Sequence, residues 1–127
     1  MSLSESVLMG FIPTSDRERA REFYQGKLGL HAVSEDQFAL VVRAGASVVR
    51  IVSVGEFKPM PFTVLGWDVA DIVGEVAALT AAGVVFSRYE FLEQDEAGIW
   101  TAPGGDRVAW FTDPDGNVLS LAQHGEG

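Results

Sequence analysis

The strongest constraint in this sequence is that it passes through the same order of elements twice. Val7 to Ile12 is a short apolar stretch that predicts a strand, and Ser15-Asp16-Arg17-Glu18 then has the form of a capping box, a side-chain oxygen offered to the free N–H groups of a helix start. Ala20, Phe23, Tyr24 and Leu28 recur at three- and four-residue spacing, which predicts one apolar helix face, with Gly29 as its C-terminal cap. His31 to Ser34 reads as a short strand. Phe38 to Val42 and Ser47 to Val54 read as a hairpin around a three-residue loop, Ala44-Gly45-Ala46. Gly55 to Pro61, with two prolines, reads as a linker, and the order then begins again. Phe62 to Asp68 is strand-like. Ile72, Val73, Val76 and Leu79 mark a helix face ended by Gly83, and Val84 to Tyr89 predicts a strand. Arg107 to Thr112 and Val118 to Gln123 form a hairpin around Asp113-Pro114-Asp115-Gly116-Asn117.

The two copies are unequal. Asp16 and Asp71, which open the helices, are 55 positions apart, whereas the hairpin positions Arg50 and Ser120 are 70 apart. The surplus of 15 falls in Glu90 to Asp106, an acidic, glycine-rich stretch that contains Trp100 and Pro103. A long loop in a compact domain is more often functional or mobile than inert. Its plain alternative is a solvated excursion with one packed tryptophan.

At 127 residues with 47% hydrophobic side chains, the chain is able to bury a core of its own. Nine Lys and Arg stand against 18 Asp and Glu, and the resulting charge of -9 repels phosphate backbones and anionic lipid, so neither nucleic acid nor membrane is an expected partner. The absence of cysteine excludes a disulfide framework, a zinc ribbon, an iron-sulfur cluster and a thiolate nucleophile. No apolar run approaches the ~20 residues of a membrane span, and the N-terminus lacks the basic-then-apolar pattern of a signal peptide, so a cytoplasmic location is expected. No Gly-x-Ser-x-Gly elbow, phosphate-binding Walker loop or dinucleotide Gly-x-Gly-x-x-Gly occurs.

Three pieces stand in order: Asp16 with Phe23-Tyr24 and Leu28-Gly29-Leu30; Asp71 with Ala81-Ala82-Gly83; and Phe111 to Asn117 with Leu119 and Leu121. In this arrangement the chain, from Val7 to Gln123, resembles the vicinal oxygen chelate superfamily, the glyoxalase, bleomycin-resistance and extradiol dioxygenase group. The resemblance implies an α+β fold of two βαβββ modules forming a curved, incomplete barrel, with helices outside and a ligand or metal cavity inside. It implies one domain over 1-127, with module 1 at about 7-54, a linker at 55-61 and module 2 at about 62-123. Many relatives are dimers, and a homodimer, or a pseudo-symmetric monomer that pairs its own modules, is expected.

In metal-dependent members of that group four ligands come from equivalent strand positions. Carried over one by one, those positions are Met9, Val64, Arg50 and Ser120. Neither Met9 nor Val64 binds a hard metal, and a guanidinium has no lone pair to offer and repels the ion. His31 and His124 stand in no metal-binding spacing and read as surface histidines. No metal and no cofactor is therefore expected.

If those four positions face inward, strand alternation assigns the rest, because residues two apart share a face. Val7, Phe11, Phe62, Gly66, Val48, Val52, Val118 and Ala122 join them. A type I turn closed by a glycine bulge at Asp113 to Asn117 places Trp110 opposite Ser120, and the same reasoning places Leu40 opposite Arg50. The candidate ligand-binding residues are thus Met9, Phe11, Arg50, Val64, Trp100, Trp110 and Ser120, an apolar and aromatic concavity with one cation and one hydroxyl. No catalytic residue is identified. Arg50 has two readings: an internal ion pair with an acid such as Glu90 or Glu93 or a role at a dimer seam, or a grip on the carboxylate or phosphate of a ligand. The expected function is a binding or sequestering domain of the bleomycin-resistance type for a small, partly apolar or aromatic molecule. The alternatives are an enzyme, either a metal-independent isomerase or lyase or a glyoxalase or dioxygenase with unconventional ligands, and a structural dimer without a pocket.

Overall fold

The computed structural model describes residues 2–125. Its contacts divide the chain into two units, module 1 ending at Lys58 and module 2 beginning at Pro59, and each holds one four-stranded mixed sheet. The architecture is α+β, with the βαβββ order present in both modules. Among the described residues no helix is long and apolar enough to cross a membrane.

In module 1, β1 (Met9–Thr14) leads into helix α1 (Arg17–Arg21), which continues as a wider-wound turn over Glu22–Lys27. The strand is shifted from its expected place: Val7 lies ahead of it, and it runs on through Pro13, which is tolerated because β1 is an edge strand and its missing N–H costs no ladder bond. The helix cap is Asp16, whose carboxylate accepts from the Arg19 N–H at 3.2 Å. Ser15, expected to open the capping box, sits one position too early, because the chain reaches helical geometry only after Asp16. Gly29, at φ 73, turns the chain out of the helix. Strands β2 (His31–Glu35), β3 (Ala39–Ala44) and β4 (Ser47–Ser53) follow, and the sheet order is β1-β4-β3-β2.

Alternation sorts the sheet into two faces. Ile12, Leu40, Val42, Val49 and Ile51 are buried on the face that α1 covers, together with Ala20, Phe23 and Tyr24. Each such aliphatic side chain withdrawn from water contributes roughly 1.5 to 3 kcal/mol, which is why the pattern fixes the register.

In module 2, β5 (Thr63–Asp68), α2 (Ile72–Ala81), β6 (Trp100–Thr101), β7 (Arg107–Thr112) and β8 (Val118–Gln123) form a sheet of order β5-β8-β7-β6. Asp71 caps α2 by accepting from the Gly74 N–H at 3.1 Å, and the Gln123 side chain at the end of β8 accepts from the Ile72 N–H at 2.8 Å. Ile72 and Val76 are buried, but Val73 is exposed: it lies ~100° around the helix from Ile72 and falls off the Ile72-Val76-Leu79 stripe. Phe111 is fully buried between Trp67, stacked at 6.3 Å, and Phe86, edge-on at 5.3 Å.

Val84 to Tyr89 is not a strand. Val84 and Phe86 are buried and Val85 exposed, so the alternation is genuine, but toward β7 the segment makes one isolated bridge, Phe86 to Phe111, one of whose bonds runs from the Ser87 N–H to the Trp110 carbonyl at 2.7 Å. The rest of the β7 edge is taken by β6, paired Trp100 to Val108 and Thr101 to Arg107. The edge is shared between two short pieces, and neither has room for a full ladder.

Candidate functional site

The face of each sheet turned away from its helix carries the candidate residues. In module 1 the parallel β1 and β4 register sets Met9 beside Val48 and Phe11 beside Arg50. Met9 and Phe11 are exposed, while Val48, Arg50 and Val52 are half-buried. The residue opposite Arg50 on β3 is Val41 and not Leu40, which pairs with Ile51 on the helix side. The cause is the hairpin loop. Ala44 pairs with Ser47, leaving two loop residues where three were expected, with Gly45 at φ 58 in the first central position as a type II′ turn requires. One residue fewer in the loop exchanges the two faces of the partner strand.

Arg50 is set apart from the other well-placed arginines of its module. Its Cζ lies 5.9 Å from the centroid of the Phe11 ring, at the range where a cation is drawn to an aromatic face. Its Nε is buried and has no hydrogen-bond acceptor. Within module 1 no carboxylate among the described residues stands within ion-pair distance of it. Asp36 is near enough to feel its charge, but that carboxylate is held by the N–H groups of Phe38 and Ala39 at 2.8 and 3.0 Å. Those two bonds first, and then the fields of Arg50 and Arg17, hold the Asp36 carboxyl below the usual carboxylate range.

In module 2 the β7 and β8 register places Trp110 opposite Ser120, as the turn count requires, and Asp113 faces Asn117 across the turn with Gly116 at φ 92. Gly66 lies beside Ser120 on β5. A methyl group at Gly66 would come within 2.9 Å of the Ser120 hydroxyl, so glycine there leaves the hydroxyl its space. Val64 sits at a bulge between Thr63 and Leu65, and Phe62 lies just ahead of β5; both are exposed.

Trp100 shares this region through its pairing with Val108, and its ring is 6.1 Å from that of Trp110. Tyr89 meets Trp110 edge-on at 5.4 Å, and Phe91 lies 5.5 Å from Tyr89. A continuous aromatic wall results. Tyr89 and Phe91 were not among the sequence candidates; two aromatics two apart at the entrance to the inserted stretch were the available signal.

The inserted stretch is held by side chains. The Gln94 carboxamide accepts from the Tyr89 N–H at 2.8 Å and donates to the carbonyls of Ser87 and Gly98 at 3.0 and 2.8 Å. Arg88 donates to the carbonyls of Asp95 and Glu96. The Asp95 carboxylate accepts from Ala97 and Ile99 N–H, each at 2.9 Å. Beside the wall Gln94, Asp95 and Ile99 line an open groove of about 680 Å³, to which Phe91, Glu93, Trp100 and Pro103 also contribute.

The four positions at which metal-dependent relatives carry ligands do not fit a divalent ion: a thioether, an alkyl group, a cation and one neutral hydroxyl offer no set of hard donors. Among the described residues no group of three or more His, Cys, Asp or Glu is placed to hold one. His31 is exposed, and His124 lies 3.4 Å from Asp68 and 3.8 Å from Asp106 at the end of β8.

The model of the glyoxalase/bleomycin resistance protein/dioxygenase superfamily matches residues 6–121. The chain belongs to this family. Similar solved structures include a member of the superfamily from Sphaerobacter thermophilus, at 25% identity and a TM-score of 0.73, covering 94% of this chain and 97% of that one. A bleomycin resistance determinant encoded on the transposon Tn5 is 18% identical with a TM-score of 0.75, covering 94% and 98%. A lactoylglutathione lyase from Agrobacterium tumefaciens is 13% identical with a TM-score of 0.73, covering 94% and 93%. Likenesses this remote in sequence establish the glyoxalase/bleomycin resistance fold. Among curated proteins none matches the chain.

Proposed function

We propose that this member of the superfamily binds a small, flat, partly apolar or aromatic molecule on the open face of its module 2 sheet and performs no chemistry on it through a metal. The observation that carries the reading is the aromatic wall of module 2, where Trp100 and Trp110 stand 6.1 Å apart with Tyr89 edge-on behind. Flat apolar surface beside one hydroxyl, Ser120, is the composition of a small-molecule site, in which shape and burial supply affinity and a few polar groups supply orientation. The name of the Tn5 neighbour, a bleomycin resistance determinant, is in keeping with a sequestering role. The ligand-contacting residues proposed in module 2 are Val64, Trp100, Trp110 and Ser120 of the sequence reading, to which Tyr89 and Phe91 are added; Met9, Phe11 and Arg50 are the residues proposed in module 1, taken by themselves.

Uncharged aromatic amides and heterocycles screened by quenching of tryptophan emission should yield binders, and Trp110→Ala should lose them while keeping the circular dichroism spectrum. Equal binding by Trp110→Ala would overturn the reading. We further propose that the chain pairs with a second copy, since β1 and β5 each stand at one end of their sheet and carry the exposed apolar residues Met9, Phe11 and Val64. Light scattering should return twice the chain mass of 13.7 kDa; the single-chain mass at micromolar concentration would refute pairing.

A further inference from the structure

We propose that Arg50 is the anchor of an anion site on the open face of the module 1 sheet, and that it takes the carboxylate of a small flat acid. The inference concerns module 1 alone and stands independently of the aromatic wall of module 2.

The arginines of module 1 supply the contrast. Arg17 donates through Nε and Nη2 to the Ser53 hydroxyl at 3.0 and 2.8 Å, and through Nη1 to Glu35 and the Asp36 carbonyl. Arg21 grips the two oxygens of Glu35 at 2.9 and 2.6 Å and reaches Glu18 at 3.1 Å. Both tie α1 to β2 through Glu35, and Arg17 also ties it to β4 through Ser53. Arg50 has neither a carboxylate nor a carbonyl on its Nε, which is nevertheless buried. A buried donor left unbonded costs more than a bonded one contributes, so this arrangement is unfavourable in the free protein, and a turn of the side chain that brings Nε out to a ligand acceptor relieves it.

The surroundings decide which acceptor. The Phe11 ring lies within cation–π range of the guanidinium, and Val41, Val48 and Val52 flank it on the same half-buried face, so apolar groups displace part of the water that would compete for a charge-assisted bond there. Asp36 senses the charge, but its Oδ1 is committed to two backbone N–H groups, and the residue does not close on Arg50 as an ion pair. The Nε and Nη donors on one edge of a guanidinium match two parallel oxygens of a planar carboxylate, and the apolar flanks suit a flat body attached to it.

The test is calorimetric titration of benzoate and of benzamide, the same body without the charge, into the wild-type chain, Arg50→Met and Arg50→Lys. Benzoate should bind the wild type at least about tenfold more tightly than benzamide, a minimal margin for one charge-assisted contact. Arg50→Met should weaken benzoate by roughly 30-fold or more and leave benzamide unchanged, and Arg50→Lys, which keeps the charge and loses the fork, should fall between. Thermal melting of Arg50→Met should match or exceed that of the wild type, because the orphaned donor is gone, and this separates lost recognition from lost fold. Benzamide binding as tightly as benzoate, or Arg50→Met leaving benzoate unaffected, overturns the inference while the aromatic reading stands. Failure of both probes on the wild type overturns it as well, whereas failure of benzamide alone counts only against the aromatic reading.

Discussion

In module 1 the outer edge of β3 is lined by one continuous strand, β2, paired from His31 with Arg43 to Glu35 with Leu40 through a single irregularity. In module 2 the equivalent edge, on β7, is lined by two fragments, the Phe86 bridge and the two-residue β6, with the inserted stretch looping out between them. The same place in the repeat is thus secured by two kinds of force. A continuous ladder needs only backbone, and the side chains of β2 are exposed along its whole length. A broken ladder has to recover its lost bonds elsewhere, and here Gln94, Arg88 and Asp95 recover them through side chains. In breaking, module 2 also acquires Tyr89, Phe91 and Trp100 next to Trp110. The insertion that interrupts the sheet is the same feature that builds the aromatic wall.

If that comparison is right, Gln94 is the weak point of module 2 and has no counterpart in module 1. Gln94→Ala removes three hydrogen bonds from a half-buried position and leaves the Tyr89 N–H and two carbonyls without partners. The expected loss is about 1 to 3 kcal/mol in a denaturant titration. Hydrogen exchange should quicken across 87–101 while the amides of β2 and β3 keep their protection. Uniform quickening over both modules, or none in the inserted stretch, would show that the loop is held by something other than Gln94.

The parts of this pattern that the sequence made legible are those governed by neighbours a few positions away. Asp16 and Asp71 were readable as helix openers because a cap bonds the N–H three residues on, and the Asp113 to Asn117 turn because its residue types serve one geometry. Trp110 opposite Ser120 followed from counting that loop. The same count failed by one at Gly45, since a glycine there closes either a two- or a three-residue loop, and the error moved Leu40 to the wrong face. Val84 to Tyr89 has a strand's alternation, but whether it pairs depends on Trp100 and Thr101 competing for β7, a choice made by residues more than ten positions away. Gln94 carried no signal because its three partners are backbone groups brought to it by the loop itself. Arg50 was visible as an anomaly, and its unbonded Nε was not.

The smallest expected effect belongs to module 1, where the ladder is already complete and charge only trims the edge. Glu35 on β2 receives both Arg21 and Arg17, and those partners, Arg21 foremost, hold its carboxyl below the usual range; Arg21 in turn is pushed up, by Glu35 first and then Glu18. A carboxylate whose value is depressed by folding adds stability at every pH above its ordinary value, and that contribution disappears as pH falls through the depressed one. Arg21 keeps its charge throughout this range, so the titrating partner is Glu35. Exchange protection of β2 should therefore be constant from about pH 6 to pH 8 and should decline as pH falls through the ordinary glutamate value, about 4.3, toward the depressed one. Glu35→Gln should remove the Glu35 part of this acid dependence and cost less at neutral pH than the Gln94 change, because the pair is partly exposed and screened by salt. Asp36, held down mainly by its backbone bonds, should retain its own acid dependence in that variant. A Glu35→Gln protein that loses β2 protection at pH 7 as fully as Gln94→Ala loses the inserted stretch would mean that side chains, and not the ladder, secure both edges.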